Sequence, residues 1–445
     1  MSSNLSSITF TCETDTLETV AMVLANHKND NYYAYERDEN WYIGLGNKSS
    51  LLVDSEGKTV TIKTESKEES YPVNGTPLAD ISRKFVHENF NSGGKIFGQV
   101  AFNYAAHTRG QPYQPGQWPL LSLLVPYNQV TIHRDVVTVT GSDDENVRGL
   151  YNMIKLGGTI PNPVYLQTID TDDNTGQYTA RVARALSDIH RGQYIKVIPS
   201  RAIEIEGKID MPATLLGGRR SNNPARCFSL SQAGFQATGF SPELVMSAQN
   251  GKVITEPLAG TRSCRGTEAE VERLKQELLS DPKEIVEHVL SVKEAIQELG
   301  QLCPANSIFV EDLMSVRARG AVQHLGSRVA GTLSPDKDVW DALAVLFPSI
   351  TASGIPKIAA IDAIQHLEHQ SRELYSGAVL MIEDPNSFEA ALVLRTVFQD
   401  PNRQWIQAGA GVISQSNPQR ELTETCEKLA SIAPFVASEA SFKTA

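Results

Sequence analysis

The sequence predicts an α+β protein built on antiparallel sheets, and three observations lead there. Short β-like runs dominate roughly the first 165 residues, helices appear between strands from about residue 177, and strands recur in pairs with helices in clusters rather than in strict βαβ alternation. A chain of 445 residues, 41% of them hydrophobic, has the apolar content to bury the large core of such a fold.

In the first part, 41–44 (WYIG), 51–54 (LLVD), 59–63 (TVTIK) and 95–102 (KIFGQVAF) read as strands between turn signals, and few helices are visible. Residues 66–70 (SKEES) and 111–116 (QPYQPG) read as loops, too short to tether separate domains. The expectation is one domain over 1–445, with a variable β-rich part at 1–165 and a motif-bearing part at 177–435. Tyr178, Val182, Leu186 and Ile189 form a helical stripe that stops before Gly192. The run 194–201 (YIKVIPSR) follows as a strand whose Pro199 marks a bulge or edge. Helices are predicted at 267–280, 283–299, 336–346, 356–369 and 418–432, and strands at 378–383, 389–398 and 404–413.

The 40 Lys and Arg against 52 Asp and Glu give a formal charge of −12, which repels phosphate backbones and anionic lipid, so neither nucleic acid nor membrane is an expected partner. No run of 18 apolar residues occurs, and the opening MSSNLSSITFTCETD lacks the basic flank and apolar stretch of a secretory signal; a cytoplasmic protein is expected. Cys12, Cys227, Cys264, Cys303 and Cys426 are odd in number and never form C-x-x-C, which supports neither a disulfide framework nor a zinc knuckle. No Walker sequence and no G-x-S-x-G is present, and Gly409 and Gly411 lack the third glycine of a dinucleotide fingerprint.

Two acidic helices carry the strongest chemical signal. Residues 281–288 (DPKEIVEH) start a helix with Asp281 as cap, Pro282 at the first helical position and Glu284 where a capping box wants it. Ile285, Val289, Val292, Ile296 and Leu299 form an apolar stripe, with Glu284, Glu287, His288 and Ser291 on the adjoining face. The second helix again begins cap then proline, at Asn417 and Pro418; its apolar stripe is Leu422, Cys426, Leu429 and Ala433, its polar stripe Glu421, Glu424 and Lys428. If the two helices face one another, four carboxylates converge with one lysine, an arrangement suited to a hard divalent cation such as Mg²⁺. The same spacing also fits two solvated acidic faces. A di-iron bundle is disfavoured, since it wants Glu-x-x-His on each of two helices and 418–432 holds no histidine.

Three further residues sit where charge is unusual. Lys196 lies mid-strand, either at a sheet edge or in a cleft; burial near a cation would make it a general base. Glu243 enters an apolar strand, where burial would keep it protonated as an acid, although an acid after Ser-Pro is also a common turn residue. Arg395 reads as a cation inside a core strand, and such an arginine holds a carboxylate, structural or bound. His288 and His324 are either substrate contacts or satisfied core histidines.

Taken together, 195–201 (IKVIPSR), 241–244 (SPEL), 257–262 (PLAGTR), 283–288 (KEIVEH), 347–357 (FPSITASGIPK), 372–377 (RELYSG), 409–411 (GAG) and 421–428 (ELTETCEK) resemble the chorismate-utilising enzymes, which include anthranilate, aminodeoxychorismate, isochorismate and salicylate synthases. The match in order and spacing covers about residues 177–435. Within the family, a lysine at the position of Lys196 marks the members that activate water rather than ammonia, and Ala259 stands where aminodeoxychorismate synthases carry lysine. The 347–357 and 284–288 segments look like those of the salicylate synthases.

The resemblance implies one large domain of two stacked antiparallel sheets with helices outside, and Mg²⁺ held by Glu287 and Glu424 with Glu284 and Glu421 in support. Lys196 would activate water for attack on C2 of chorismate, Glu243 would protonate the departing C4 hydroxyl, and Arg395 and Tyr375, with the backbone at Gly409 and Gly411, would bind the enolpyruvyl carboxylate. Gly260, Thr261, His324, Thr351 and Lys428 match family positions lining the site. The expected activity is chorismate to salicylate and pyruvate by way of isochorismate, by a monomer, for siderophore assembly. An isochorismate synthase that releases its intermediate is the alternative within the family. A non-catalytic binding protein is the alternative outside it.

Overall fold

Every strand pairing among the described residues is antiparallel, and the strands gather into two large sheets. The structure, a computed structural model, describes residues 5–90, 94–161, 166–173 and 175–439. The first sheet has ten strands in the order Ser6–Thr11, Val136–Gly141, Asn128–His133, Asn40–Leu45, Tyr32–Arg37, Arg226–Gln232, Phe235–Ser241, Thr396–Gln399, Gln404–Gly409 and Ser200–Ile205. The second has twelve, running from Leu258–Ser263 through Val322–Thr332, Lys252–Thr255, Leu244–Gln249, Ser387–Leu392, Ala378–Asp384, Ile96–Val100, Leu121–Val125, Ser49–Val53 and Thr59–Thr64 to Glu68–Pro72, with Phe309–Arg319 paired on Val322–Thr332. A short ribbon, Lys196–Val197 on Gly354–Ile355, stands apart.

The sheets stack face to face. Tyr33, Phe228, Phe398 and Trp405 of the first sheet share a buried cluster with Phe97, Leu244, Val379 and Met381 of the second. The outer face of the first sheet is covered by the helices Thr16–Asn26, Asp144–Leu156 and Met211–Ser221, and that of the second by Leu78–Asn89, Pro282–Leu299, Val339–Leu346 and Lys357–Leu367. Apolar area facing in from both sides of each sheet explains why central strands such as Tyr32–Arg37 and Ser387–Leu392 are buried almost throughout and show no alternation. The stacked sheets with helices outside are therefore the architecture implied by the family resemblance.

Several expectations are corrected in detail. Among the described residues the first part contains four helices, Thr16–Asn26, Leu78–Asn89, Tyr104–Thr108 and Asp144–Leu156, where few were visible. In the first of them Val20 to Leu24 are all buried, so its apolar run has no helical period to distinguish it from a buried strand. Residues 66–70 are only partly loop: Glu68–Pro72 forms an exposed edge strand without a buried face to show in the sequence. The strand expected at 389–398 is two strands in different sheets, Ser387–Leu392 and Thr396–Gln399. The boundary expected near residue 165 falls at 162–165, outside the described residues. Strands on either side of it pair directly, Tyr32–Arg37 with Arg226–Gln232 and Ile96–Val100 with Ala378–Asp384.

Trp405, fully buried and stacked on Phe398 at 5.0 Å, anchors the layer between the sheets. Trp405→Ala is expected to lower unfolding free energy by about 3–5 kcal/mol in urea titration. A loss below about 1 kcal/mol would contradict this packing.

Candidate active site

Two of the chain's passages from one sheet to the other lie side by side. The first leads from Phe235–Ser241 to Leu244–Gln249 through Pro242 and Glu243, the second from Ser387–Leu392 to Thr396–Gln399 through Val393, Leu394 and Arg395. Ser241 Oγ donates to the Leu392 carbonyl at 2.6 Å, Leu392 N–H to the Glu243 carbonyl at 3.1 Å, and Phe240 N–H to the Arg395 carbonyl at 3.2 Å. Arg395 is thus not inside a strand as expected; it turns the chain with φ at +52°.

Beside these crossings lies a cavity with about 650 Å³ of atom-free space, part of it open to solvent. Gly260, Thr261, His324, Thr351, Tyr375, Arg395, Gly409, Gly411 and Lys428, the nine expected substrate contacts, all line it, as do Glu287 and Glu424. Lys196, Glu243, Glu284 and Glu421 lie behind that lining. Lys196 reaches it through Glu287, 2.9 Å from its Nζ, and Glu243 through Ser349, whose hydroxyl donates to Glu243 Oε1 at 2.8 Å.

The acidic helices Pro282–Leu299 and Pro418–Leu429 do converge, with a different face inward than expected. On the first, Glu284, Glu287, His288, Ser291, Val292 and Ala295 are buried, whereas Val289 and Ile296 of the expected apolar stripe are 49% and 39% exposed. Polar partners on the neighbouring strands explain the choice. Asp281 caps the helix by accepting from Lys283 N–H, but Glu284 closes no capping box; it accepts instead from Thr261 N–H at 3.2 Å and pairs with Arg262 at 2.9 Å. On the second helix Asn417 caps as expected, and Glu421, Glu424, Thr425 and Leu429 are buried.

Each carboxylate meets a cation. Glu287 pairs with Lys196, Glu424 with Lys428 at 2.8 Å and Glu284 with Arg262, while Lys283 lies 3.5, 3.2 and 3.5 Å from Glu284, Glu287 and Glu421. Burial pushes Glu284 and Glu421 upward; against burial, Lys196 with Lys283 holds Glu287 down and Lys428 with Lys283 holds Glu424 down. Lys283, which the sequence expectation omitted in favour of Lys428 alone, was signalled only by its place in the 283–288 motif. Gly411 is required here, because a Cβ would stand 2.2 Å from Glu287 Oε1.

Hard carboxylate oxygens in a buried place, with neither Glu421 oxygen accepting a hydrogen bond, are donors of the kind Mg²⁺ takes, and in kind the four glutamates fit it. As they stand, no three Asp, Glu, His or Cys side chains among the described residues are grouped to ligate one ion, and the Lys283 ammonium lies between them.

Of the other candidates, Lys196 is fully buried behind the cavity lining, on the two-stranded ribbon, with Ser291 Oγ accepting at 3.1 Å; its charged neighbour is Glu287, not a cation. Glu243 is fully buried with no ion pair, and burial raises its carboxyl to about 8. The Arg395 guanidinium is 6% exposed; it donates to the Arg319 carbonyl and to His324 Nε2, and no carboxylate among the described residues lies within ion-pair distance of it. Burial lowers it to about 9, which leaves it charged at neutral pH. Burial holds His324 neutral, and with Nε2 accepting from Arg395 its Nδ1–H is assigned to donate toward Gly260 O and Thr261 Oγ1. His288 is a core histidine bonded to Ser327 Oγ at 2.7 Å. All five cysteines are unpaired, and no helix among the described residues is long and apolar enough to cross a membrane.

Comparison with known proteins gives a family and a fold. Residues 30–434 match the chorismate binding enzyme family. The chain is 35% identical over 425 residues to the salicylate synthase of Mycolicibacterium paratuberculosis, covering 94% of this chain and 92% of that protein. Its fold is similar to the anthranilate synthase component I of Streptococcus pneumoniae, with a TM-score of 0.74 and 22% identity over 90% of this chain and 92% of that one. It is likewise similar to the menaquinone-specific isochorismate synthase of Escherichia coli, with a TM-score of 0.73 and 20% identity over 98% and 95%.

Glu243 makes a pH signature testable. Its folded carboxyl titrates at about 8 against an ordinary 4.5, so between those values the folded state holds a proton the unfolded state has lost, and stability falls as pH rises. Glu243→Gln is expected to remove this slope and to be more stable than wild type at pH 8 relative to pH 5, by about 3–4 kcal/mol at 1.36 kcal/mol per unit. Parallel pH–stability curves for the two proteins would contradict the assignment.

Proposed function

The chain belongs to the chorismate binding enzymes, and from that premise we propose that it is a Mg²⁺-dependent salicylate synthase, converting chorismate through isochorismate to salicylate and pyruvate. The observation that carries the reading is the buried Arg395 guanidinium, with no carboxylate within ion-pair distance among the described residues, lining the same cavity as Glu287 and Glu424: the site offers a cation to one acidic group of its ligand and wants a further cation for the other. Chorismate, with a ring carboxylate and an enolpyruvyl carboxylate, suits it. The 35% identity to a salicylate synthase over nearly the whole chain supports the product.

In this reading Arg395 and Tyr375 take the enolpyruvyl carboxylate, and Thr261 and Lys428 lie toward the ring carboxylate. Glu287 and Glu424, with Glu284 and Glu421 in support, would hold Mg²⁺, which when bound would supply positive charge for that ring carboxylate. Lys196 takes a proton from the water that adds at C2. Glu243, protonated, gives its proton to the C4 hydroxyl, which leaves as water, so one water is consumed and one released. Arg395 and the backbone at Gly409 and Gly411 hold the side chain for its departure as pyruvate: the C3–O bond breaks, the C2 hydrogen passes to the enolpyruvyl methylene carbon, and the ring becomes aromatic. A cytoplasmic protein making salicylate for siderophore assembly is the corresponding setting.

Glu243→Gln and Lys196→Ala are each expected to lower kcat by about 10²–10⁴-fold, since both groups transfer protons, and Lys196→Ala is expected also to lower stability by about 3–5 kcal/mol because buried Glu287 loses its partner. Arg395→Leu is expected to lower kcat/KM by about 10²-fold or more. In wild type, kcat should decline on the alkaline side as Glu243 loses its proton near pH 8. Rates near wild type in either proton-transfer variant would overturn the assignment of roles.

A further inference from the structure

Three of the four glutamates own a private cation: Lys196 serves Glu287, Lys428 serves Glu424 and Arg262 serves Glu284. Lys283 is shared. Its Nζ lies between 3.2 and 3.5 Å from three carboxylates drawn from both acidic helices, and for Glu421, whose oxygens accept no hydrogen bond, it is the one cation within ion-pair distance among the described residues. Bridging several carboxylates at once is how a divalent ion neutralises such a cluster, and here a side chain does it.

A second cleft shows where that side chain can go. Glu287 and Glu424 border the substrate cavity, whereas Lys283, Glu284 and Glu421 border a separate outer cleft that also holds Glu277, Asp281 and Glu427. The cluster is a partition between two spaces, with the Lys283 stem rooted on the outer side. Glu277, Asp281 and Glu427 there already pair with Arg262, Arg273 and Arg420, so an arriving ammonium would share carboxylates with arginines, and four flexible carbons give it the reach.

We propose that the Lys283 ammonium is a tethered counter-cation that fills the divalent ion's place between the acidic helices and vacates it into the outer cleft when the ion binds. This rests on the metal reading above and adds regulation to it. The metal-free protein keeps its four buried carboxylates compensated, and the ion must compete with a lysine before the site is complete, which weakens its affinity and favours a free cation concentration high enough to displace it.

The test uses the wild-type protein, stripped of metal or saturated with Mg²⁺, without substrate. Brief amine acetylation followed by mass spectrometry reads the reactivity of Lys283, with exposed Lys84 as internal standard. The expected result is a rise of about ten-fold at Lys283 on adding Mg²⁺ with Lys84 unchanged; equal or lower labelling would overturn the proposal. In calorimetry, Lys283→Met is expected to bind Mg²⁺ about ten-fold more tightly than wild type, and weaker binding would likewise overturn it. Mg²⁺ binding by wild type with unchanged Lys283 reactivity defeats the tether alone, whereas absence of binding in both proteins defeats the metal reading on which it rests.

Discussion

Four glutamates buried against one another cannot stand without cations, and this constraint shapes the rest of the site. Two unit charges 4 Å apart interact by about 4 kcal/mol at an effective dielectric of 20, and removing one partner of a buried pair costs about 3–5 kcal/mol. The compensating cations come from different elements: Arg262 from the strand Leu258–Ser263, Lys196 from the ribbon Lys196–Val197, Lys428 and Lys283 from the two helices themselves. Charge balance therefore ties a sheet, a ribbon and two helices together at one point. It also dictates small residues nearby, since Gly411 leaves room for Glu287 and Gly260, with φ at +81°, passes close to Glu284.

Glu243 shows the same physics with the opposite outcome. Its burial is as complete as that of the cluster, yet no cation pairs with it, so its carboxyl stays protonated where Glu287 and Glu424 stay ionised. Around one cavity thus stand a neutral acid behind the lining, ionised carboxylates, and a guanidinium with no ion-pair partner among the described residues, separated by which partners each receives. The paired crossings between the sheets set that separation, placing Glu243 and Arg395 in adjacent links where no ladder claims their side chains.

Much of this was legible in the sequence, and the reasons are specific. Asp281 with Pro282 and Asn417 with Pro418 announced both acidic helices, because caps and N-terminal prolines are local signals. The nine cavity residues were legible through family motifs and not through spacing, since they come from strands and links far apart in the chain. What stayed hidden depended on partners elsewhere. Val289 and Ile296 looked like a core stripe, but Arg262 and Lys196 made the acidic face the buried one. Arg395 looked like part of a single strand because nothing local marks a passage between sheets in an apolar run. Lys283 was passed over since only the three-dimensional meeting of Glu284, Glu287 and Glu421 gives it a role.

The most direct test of the account is to mix the purified protein with chorismate, with and without Mg²⁺, and follow the products by chromatography with salicylate fluorescence. The account predicts salicylate and pyruvate in equal amounts, and only when Mg²⁺ is present. Isochorismate accumulating without pyruvate, or product formation indifferent to the metal, would contradict it.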